Sequence, residues 1–286
     1  MLPQLLTNND IDIDKYDESI RKSLNTTVFA YSWYLNIVCP DWCVLVYDNY
    51  NIVMPLTKVS VCAVDLPPFV LWTGIFSDHL LSESESEMFF NSIPSDFKSV
   101  KINLNKFNYY KQNSKFLKIK SVFQFDLIVN ADIRGLERSP FVKNIFNECE
   151  SLKLKCIQSQ TVEIFFNFIA RQTVCKTDYV LKLMSLIRKA IFRDCCLPFL
   201  VLDAESQPVA AAAVIYSDMS VYIPVISYAA SSNIINHSAL MILDTVLKTF
   251  SERDMILYID ALMSNIDVRL LTGSGAGQFS FLSFAK

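Results

Sequence analysis

The chain has 286 residues, of which 52% are hydrophobic and 19% charged, and its mean hydropathy is +0.29. This composition excludes a disordered chain and allows one large domain or two small ones. The net charge of −3 excludes a surface that is basic overall, so any contact with nucleic acid must be local.

The cysteines and histidines argue against a metal site. The eight cysteines contain no C-x-x-C pair, and two histidines are too few for a histidine-rich site. We therefore expect no metal, no tightly bound cofactor, and the free, mostly buried thiols of a reducing cytoplasm. The first residues lack the pattern of a secretory signal and the apolar stretches are too short to span a bilayer, so we expect a cytoplasmic protein without a membrane span.

The first half of the chain has the pattern of a helix, three strands, a second helix and two strands. The predicted elements are a helix over Thr26–Cys39, strands in WCVLVYD, NIVMPLT and PFVLWTGIF, a helix over Ser82–Ile93, and strands in SVKINL and VFQFDLIV. An Asn-Tyr turn separates the first two strands, and acidic residues open the second helix, as helix starts favour. VFQFDLIV closes this set of elements.

The second half repeats this order of elements. The predicted elements are a helix over Thr177–Asp194, strands in PFLVLD, PVAAAAVIY and SVYIPVISY, a helix over His237–Phe250, a strand in MILYID, a short helix over Ser264–Thr272 and a final strand in QFSFLSF. The sequence therefore predicts an α/β protein with mixed sheets, built from one module over residues 1–130 and another over 131–286. The segment NADIRG divides them.

Three of the five glycines lie in the segment GSGAG at 273–277. A phosphate-binding loop follows a strand and precedes a helix, and it often carries a Lys-Ser/Thr pair. Here a helical pattern comes first, a strand pattern comes second, and the pair is missing. The glycines therefore predict a turn after a short helix, where they supply positive φ angles.

The start of the His237–Phe250 helix is the better candidate for an anion site. Five neutral side chains, and no carboxylate, lie at this helix start: Ser231, Ser232, Asn233, Asn236 and Ser238. A helix start without acid that follows a strand suits a pyrophosphate, and His237 could steady a phosphate. The alternatives are ordinary capping by Asn236 or Ser238 and a structural role for His237.

Asp260 and two tyrosines are the candidates for catalysis. Asp260 ends an apolar strand, near the place where neighbouring strands of such a sheet separate, and burial would make its carboxylate a stronger base. Tyr222 and Tyr228 flank the central strand and could protonate a leaving thiolate. The alternatives are a helix cap for Asp260 and core tyrosines with an exposed hydroxyl.

One segment is rich in lysine. Seven lysines and no acidic residue occur between Lys98 and Lys120, interleaved with Phe107, Tyr109, Tyr110 and Phe116. Lysines with stacking rings can hold a phosphate-rich chain such as tRNA, and the alternative is a solvated surface.

Several segments resemble a group of bacterial GNAT-like proteins related to the Fem-type peptidoglycan aminoacyltransferases, which carry two GNAT modules. The resemblance lies in YSWYLNIVCPDWCVLVYDNYNIVMPL, PPF, GIFS, SPFVKNI, Asp260 and the pair Gly275-Ala276. It covers nearly the whole chain, and its motifs are hydrophobic frames with a few fixed polar positions.

The resemblance implies transfer of an acyl or aminoacyl group from an acyl-CoA, such as acetyl-CoA, or an aminoacyl-tRNA to a small or peptide-like amine. It places the donor's pyrophosphate at Ser231–Ser238 and implies contacts to substrate from Lys143 and Asn144 of SPFVKNI. Two departures favour the alternative of a GNAT-fold binding module without activity. The donor segment has no glycine, and Asp260 is followed by Ala-Leu-Met where related sequences carry Phe-Glu-Gly.

Overall fold

The computed structural model describes residues 2–105, 107–108, 116–128, 139–172, 177–229, 234–260 and 265–285. The chain forms two compact units. Unit 1 comprises Met1–Ser121 together with Ser280–Lys286, and unit 2 comprises Val122–Phe279. The predicted division near residue 130 falls within 129–138, outside the described residues, and stays a prediction.

Unit 1 is built from short strands and three helices among the residues described. In chain order its elements are β1 Gln4–Thr7, α1 Ile13–Lys22, α2 Ser32–Val38, β2 Cys43–Tyr47, β3 Ile52–Leu56, β4 Lys58–Ser60, β5 Ala63–Val64, β6 Phe76–Ser77, α3 Glu83–Asn91 and β7 Ser99–Leu104. The strands β1, β2, β3 and β6 pair in that order, all antiparallel, and β5 pairs with β7 in parallel.

Local chemistry explains the elements of unit 1 that the sequence predicted correctly. The hairpin β2–β3 turns through Asp48, Asn49 and Tyr50, whose φ angles are 48°, 50° and 72°. Ser82 caps α3 and forms a capping box with Glu85. Both elements, and the strand SVKINL, are confirmed.

Two predictions in unit 1 are wrong in detail. The helix predicted over Thr26–Cys39 is a single 3-10 turn at Val28–Ala30 followed by α2. The strand predicted in PFVLWTGIF is an irregular segment in which Phe76 alone belongs to a strand, and Thr73 makes an isolated parallel bridge to Leu104. Its backbone groups are bonded largely by side-chain amides instead of a neighbouring strand.

Unit 2 holds a larger mixed sheet with helices on both faces. Its elements, with the two strands that run across the division, are β8 Phe116–Asp126, α4 Pro140–Ser151, β9 Lys155–Gln158, α5 Val162–Gln172, α6 Thr177–Phe192, β10 Cys196–Leu202, β11 Pro208–Tyr216, β12 Ser220–Tyr228, α7 Ile235–Thr249, β13 Ile256–Ile259, α8 Val268–Gly273 and β14 Gly277–Ala285. The strand order is β8-β13-β12-β11-β10-β9, and β12–β13 is the parallel pair.

The run of alanines in β11 separates the two faces of this sheet. Ala210, Ala212 and Val214 pack in one core with residues of α4 and α7. The helices α5 and α6 contact β10 and β11 from the other face. Small side chains allow helices to approach both faces closely, because successive residues of a strand point to opposite sides.

The last strand predicted for each half is exchanged between the units. Within unit 2, β8 pairs with β13, with Phe123 opposite Ile259 and Asp126 opposite Ile256. Within unit 1, the end of β14 pairs with β7, with Leu282 opposite Leu104. The prediction that VFQFDLIV closes the first set of elements is therefore wrong, because strand periodicity identifies a strand but carries no information about its partner.

The turn predicted at GSGAG is confirmed. The helix α8 ends at Gly273, and Gly275 has a φ angle of 95°. The Ala276 N–H donates to the Leu271 carbonyl at 3.0 Å, which closes a Schellman turn. Glycine supplies the left-handed residue of this turn at little steric cost.

Candidate functional site

The parallel strands of unit 2 separate part of the way along their length. β12 and β13 pair from Ser220 opposite Ile256 to Tyr222 opposite Tyr258. Beyond this point β12 continues to Tyr228, whereas β13 ends at Ile259. The described residues therefore leave the second half of β12 without a hydrogen-bonded strand on its β13 side.

One carboxylate, that of Asp260, and three phenols, those of Tyr222, Tyr258 and Tyr179, lie near the point of separation. Tyr222, Tyr258 and Asp260 are 1%, 9% and 1% exposed. Burial raises the pKa of Tyr258 to about 12. Burial, followed by the nearby charges of Asp260 and Tyr179, raises the pKa of Tyr222 well above its usual value. Both phenols therefore keep their protons at neutral pH, next to a carboxylate.

The structure places Tyr228 apart from this cluster. Tyr228 packs against the core beneath α7, as do Val221 and Ile223, whereas Tyr222 does not. The register between β11 and β12 shifts at Pro224, between the pairs Tyr222–Ile215 and Val225–Ala213. Such a bulge reverses the alternation of side chains, so two tyrosines six positions apart face opposite sides. Burial raises the pKa of Tyr228 as well.

The first turn of α7 carries the predicted anion site. Ile234 precedes the helix, no side chain among the described residues caps it, and its first turn has no acidic residue. The alternative that Asn236 or Ser238 caps the helix is therefore wrong. Ser238 is fully buried, and its Oγ has no partner among the described residues. Ser231, Ser232 and Asn233 lie outside the described residues.

A cavity of about 490 Å³ opens between α7 and α4. One face of α4 contributes Phe141, Asn144, Ile145 and Glu148. The first turn of α7 contributes Ile235, Asn236 and His237. The structure thus brings together Asn144, predicted to bind substrate, with Asn236 and His237, predicted to bind the donor.

His237 is held by α4. Its Nε2 lies 2.6 Å from the Glu148 carboxylate, and its Nδ1 is buried with no partner in the described chain. The tautomer with the proton on Nε2 fits this geometry, because a proton on Nδ1 would leave a buried donor unpaired. The His237 carbonyl also accepts a weak hydrogen bond from the Cys149 thiol at 3.7 Å.

Helix α4 owes its position to its start. Ser139 accepts a hydrogen bond from the Val142 N–H at 3.2 Å, and Pro140 follows it as the first helical residue. Gly273 of α8 packs so closely against this start that a Cβ there would lie 2.5 Å from the Ser139 Oγ.

Lys143 points away from the core and is exposed, and it does not line the cavity.

The lysine-rich segment lies mostly outside the described residues. Lys98 and Lys101 are described and exposed, and Lys101 lies 3.4 Å from the Asp65 carboxylate. Lys106, Lys111 and Lys115 fall outside. The predicted contact with tRNA stays a prediction.

The described cysteines are free thiols. Burial raises the pKa of Cys43 to about 11 and that of Cys149 to about 12, so both are protonated and unreactive at neutral pH. Among the residues described, no group of three or more His, Cys, Asp or Glu side chains could hold a metal ion. None of the described helices is long and apolar enough to cross a membrane.

Sequence reasoning missed three residues of these sites. Tyr258 lies two positions before Asp260 in MILYID, and strand alternation could have placed both on one face. Glu148, the partner of His237, is 89 positions away in sequence, and no local pattern could have found it. Tyr179 of α6, which raises the pKa of Tyr222, is also far from it in sequence, so no local pattern could have found this residue either.

Comparison with solved structures identifies the fold, while sequence comparison finds no relatives. No family model matches the sequence, and no curated protein is significantly similar to it. FemX is 7% identical, with a TM-score of 0.61 over 98% of this chain and 96% of that chain. A tandem GNAT protein from the clavulanic acid biosynthesis pathway is 7% identical, with a TM-score of 0.55 over 99% of this chain and 98% of that chain. The chain has the tandem GNAT-like fold.

L-PGS from Bacillus licheniformis extends this comparison. It is 11% identical, with a TM-score of 0.57 over 96% of this chain and 91% of that chain. The structural neighbours are thus GNAT-fold proteins, and they match both halves of the chain. The order β10, β11, β12, α7, β13 in unit 2 is the GNAT order of three strands, a helix and a parallel strand.

Proposed function

We propose that unit 2 transfers an acyl or aminoacyl group from a CoA thioester or an aminoacyl-tRNA to an amine. The observation that carries this proposal is the separation of β12 and β13 beyond Tyr222 and Tyr258, with the buried Asp260 directly after it. Two parallel strands that diverge expose backbone groups to a donor molecule, and a carboxylate beside them can serve the acceptor. The resemblance to Fem-type enzymes and the tandem GNAT-like fold both support a transferase.

In the proposed chemistry the acceptor amine loses one proton and the leaving group gains one. The amine nitrogen attacks the carbonyl carbon of the donor, and a C–N bond forms as the C–S or C–O bond breaks. Asp260 accepts the proton that the nitrogen loses. Tyr222, whose pKa is raised by burial and by Asp260, holds a proton that it can give to the leaving thiolate or alkoxide. Tyr258 is the second phenol within this cluster, and Tyr228 takes no part in it.

The donor's phosphates would lie at the start of α7. This helix start offers the backbone N–H groups of its first turn and the positive end of the helix dipole, and that turn has no acid. Ser231–Ser238 would make these contacts. Acyl-CoA acts as a co-substrate in this scheme, no cofactor is held permanently, and the free thiols suit a reducing cytoplasm, where we place the reaction.

A GNAT-fold binding module without activity is the second candidate. It is favoured by the donor segment, which contains no glycine between Ala229 and Ser238. Backbone amides approach a pyrophosphate most closely where glycine removes the Cβ. Without glycine, longer contacts from serine and asparagine side chains would have to replace the contacts of the backbone amides with the pyrophosphate.

Ligand-dependent thermal unfolding separates the two candidates. A donor at about 100 times its Kd should stabilise the protein by about 2.7 kcal/mol. We expect a rise in Tm with acetyl-CoA or CoA, or with an aminoacyl-tRNA, and mass-spectrometric detection of an acylated amine when a panel of primary amines is added. A flat response across CoA esters and aminoacyl-tRNA would exclude the transferase.

Salt titration tests the proposed contact of tRNA with Lys98–Lys120. Each phosphate neutralised by a lysine releases counterions, so the affinity should fall steeply between low and physiological salt. Changing Lys98 and Lys118 to Gln should reduce both the affinity and its salt dependence. If tRNA shows no affinity even at low salt, this segment is a solvated surface.

A further inference from the structure

A second cavity lies within unit 1, whose residues take no part in the proposed transfer. Its volume is about 180 Å³, and it is formed by one face of α1, the turn between β2 and β3, and Asp78 just after β6. Each side chain that lines it carries a polar group. Sites for drug-sized ligands begin at about 300 Å³, so this cavity suits a small polar molecule.

The turn between β2 and β3 is a fixed wall of this cavity. Asp48, Asn49 and Tyr50 all have positive φ angles, which are unfavourable for a side chain as large as tyrosine. Contacts with α1 hold the turn in place. The Asp12 N–H donates to the Tyr50 hydroxyl oxygen at 2.8 Å, and the Lys15 ammonium donates to the Asn49 Oδ1 at 3.3 Å. The wall is therefore formed before any ligand arrives.

Three hydrogen-bond donors face the part of the cavity next to this turn. The Ser19 Oγ is buried and has no hydrogen-bond partner in the described chain. The Tyr50 hydroxyl oxygen accepts from Asp12, and its own proton has no acceptor among the described residues. Lys15 lies one helical turn before Ser19, and its contacts of 3.3 Å to Asn49 and 3.6 Å to Asp12 are longer than an ordinary charge-assisted hydrogen bond. These donors match the oxygens of a carboxylate.

The other part of the cavity carries a carboxylate of its own. The Leu24 N–H donates to the Ser77 carbonyl at 2.9 Å, which places Asp78, the next residue, beside the end of α1. The Asp78 side chain is 60% exposed, and its Oδ1 lies 2.9 Å from the His79 Nδ1. The second oxygen of Asp78 can therefore accept from an ammonium group in the cavity.

The remaining charges of the lining compensate one another. The Glu18 carboxylate lies 2.6 Å from the Arg21 guanidinium and 3.1 Å from the Lys22 ammonium. Hydrogen bonds from Arg21, followed by that from Lys22, lower the pKa of Glu18 to about 2, so this carboxylate stays ionised and paired. A ligand would thus meet a cation, Lys15, in one part of the cavity and a carboxylate, Asp78, in the other.

We propose that this cavity binds a small free α-amino acid, whose carboxylate accepts from Lys15, Ser19 and Tyr50 and whose ammonium group donates to Asp78. The inference is independent of the proposed transferase function, since the whole site belongs to unit 1. An anion without an ammonium group would bring further negative charge close to Asp78. An amine without a carboxylate would leave the Ser19 hydroxyl buried and unpaired.

Titration of the full chain with free alanine and with its two fragments tests the proposal. Isothermal titration calorimetry or saturation-transfer NMR should show saturable binding of free alanine with a Kd of about 1 mM or tighter. Propionate lacks the ammonium group and ethylamine lacks the carboxylate, so each should bind at least about tenfold more weakly. Inorganic phosphate that binds as tightly as free alanine would overturn the proposal in favour of a simple anion site. No saturable binding of free glycine, alanine or serine would also overturn it and leave the cavity to water.

Asp78→Asn tests recognition of the ammonium group. The variant keeps the shape of the side chain but removes its charge, so the preference for free alanine over propionate should disappear. Asp14→Asn is the matched control, because Asp14 is an exposed residue of α1 that does not line the cavity, and it should retain the preference. A preference that survives Asp78→Asn would contradict the proposed orientation of the ligand and overturn it.

Ser19→Ala tests recognition of the carboxylate without endangering the fold. Alanine favours helices and removes a buried hydroxyl that has no partner in the described chain, so the Tm should be kept or raised. Binding of free alanine and of propionate should both weaken by about fivefold, because both lose the same hydrogen bond. Ser86→Ala is the control, since Ser86 of α3 is also buried with an unpartnered Oγ but does not line the cavity. Equal ligand affinities in the Ser19→Ala variant and the unchanged protein would overturn the proposal.

Discussion

Units 1 and 2 differ at the place where the third strand of the GNAT-like order lies beside its parallel neighbour. In unit 2 the third strand, β12, leaves its parallel neighbour β13 after Tyr222 and Tyr258. In unit 1 the corresponding segment, residues 67–77, lies beside β7 and stays attached to it. The Thr73 N–H donates to the Asn103 carbonyl at 3.0 Å, and Thr73 bridges to Leu104 in parallel.

Asparagine side chains of β7 and of the residues just after it add to this attachment. The Nδ2 atoms of Asn103, Asn105 and Asn108 donate to the carbonyls of residues 71, 73 and 75, at 3.0, 3.5 and 2.7 Å. The Asn108 Oδ1 also accepts from the N–H of residue 75 at 2.9 Å. The three asparagines are buried, so each bond is shielded from water.

The comparison indicates which unit can take a donor. In unit 1 the backbone groups that a donor would contact are bonded to carboxamides, and the junction is closed. In unit 2 the corresponding place holds phenols and a carboxylate, and the described pairing of β12 with β13 ends at Tyr222 opposite Tyr258. One unit therefore acts as a scaffold in our proposal, and the other carries the chemistry.

The largest expected effect is on the chemistry of unit 2. Asp260→Asn removes the proposed base while keeping the shape of the side chain, and acyl transfer should fall by about 10²–10⁴-fold. Steady-state assays with the amine identified by mass spectrometry would measure the loss. Asp254→Asn, at an exposed position before β13, is the control and should retain full activity. An Asp260→Asn enzyme within about twofold of the unchanged protein would remove Asp260 from the mechanism.

The next effect is on the stability of the closed junction in unit 1. Asn108→Ala deletes two buried hydrogen bonds and leaves the Ile75 N–H unsatisfied, so the free energy of unfolding should fall by about 3 kcal/mol. The Ile75 carbonyl keeps a bond from Asn25 at 2.8 Å, which limits the loss. Chemical denaturation would measure it, with the exposed Asn91→Ala as a control that should change stability by less than about 0.5 kcal/mol.

The contact between Gly74 and Asn108 gives a second test of the closed junction in unit 1. Gly74 has a φ angle of 106°, and a Cβ there would collide with the Asn108 Oδ1. Gly74→Ala should destabilise the protein by about 2 kcal/mol, and by about 1 kcal/mol in the Asn108→Ala background, where the backbone strain alone remains. Additive effects in this double-mutant cycle would show that the carboxamide does not press against Gly74.

The smallest expected effect is a pH-dependent change in stability at His79, just after β6. Asp78, with a smaller contribution from Glu85, raises the pKa of the half-exposed His79. Because the folded pKa is raised, this stabilisation is fully present below about pH 6.5 and is lost as pH rises through the folded pKa. His79→Gln should therefore cost a few tenths of a kcal/mol at about pH 5.5 and nothing at about pH 8.5. Denaturation midpoints that fail to converge at the higher pH would contradict this.

Sequence patterns predicted most elements of unit 2, because its strands are long apolar runs and its helices have clear apolar faces. The glycine turn after α8 was predicted for the same local reason, since positive φ angles favour glycine. The prediction that PFVLWTGIF is a strand was wrong, because the hydrogen bonds of this segment come from asparagines that lie 32 or 33 positions later in the chain.

The candidate sites likewise combine features set by neighbouring residues with features set by distant segments of the chain. The sequence by itself determined the order of elements, the helix start at α7 without acid, and the position of Asp260 at the end of an apolar strand. These features depend on neighbouring residues, whose patterns are visible in the chain. The tertiary structure alone decided the exchange of β8 and β14, the pairing of His237 with Glu148, and the placement of Tyr228 away from Tyr222. Each of these depends on which distant segments pack together, because periodicity and capping act over a few residues and carry no information about the partner.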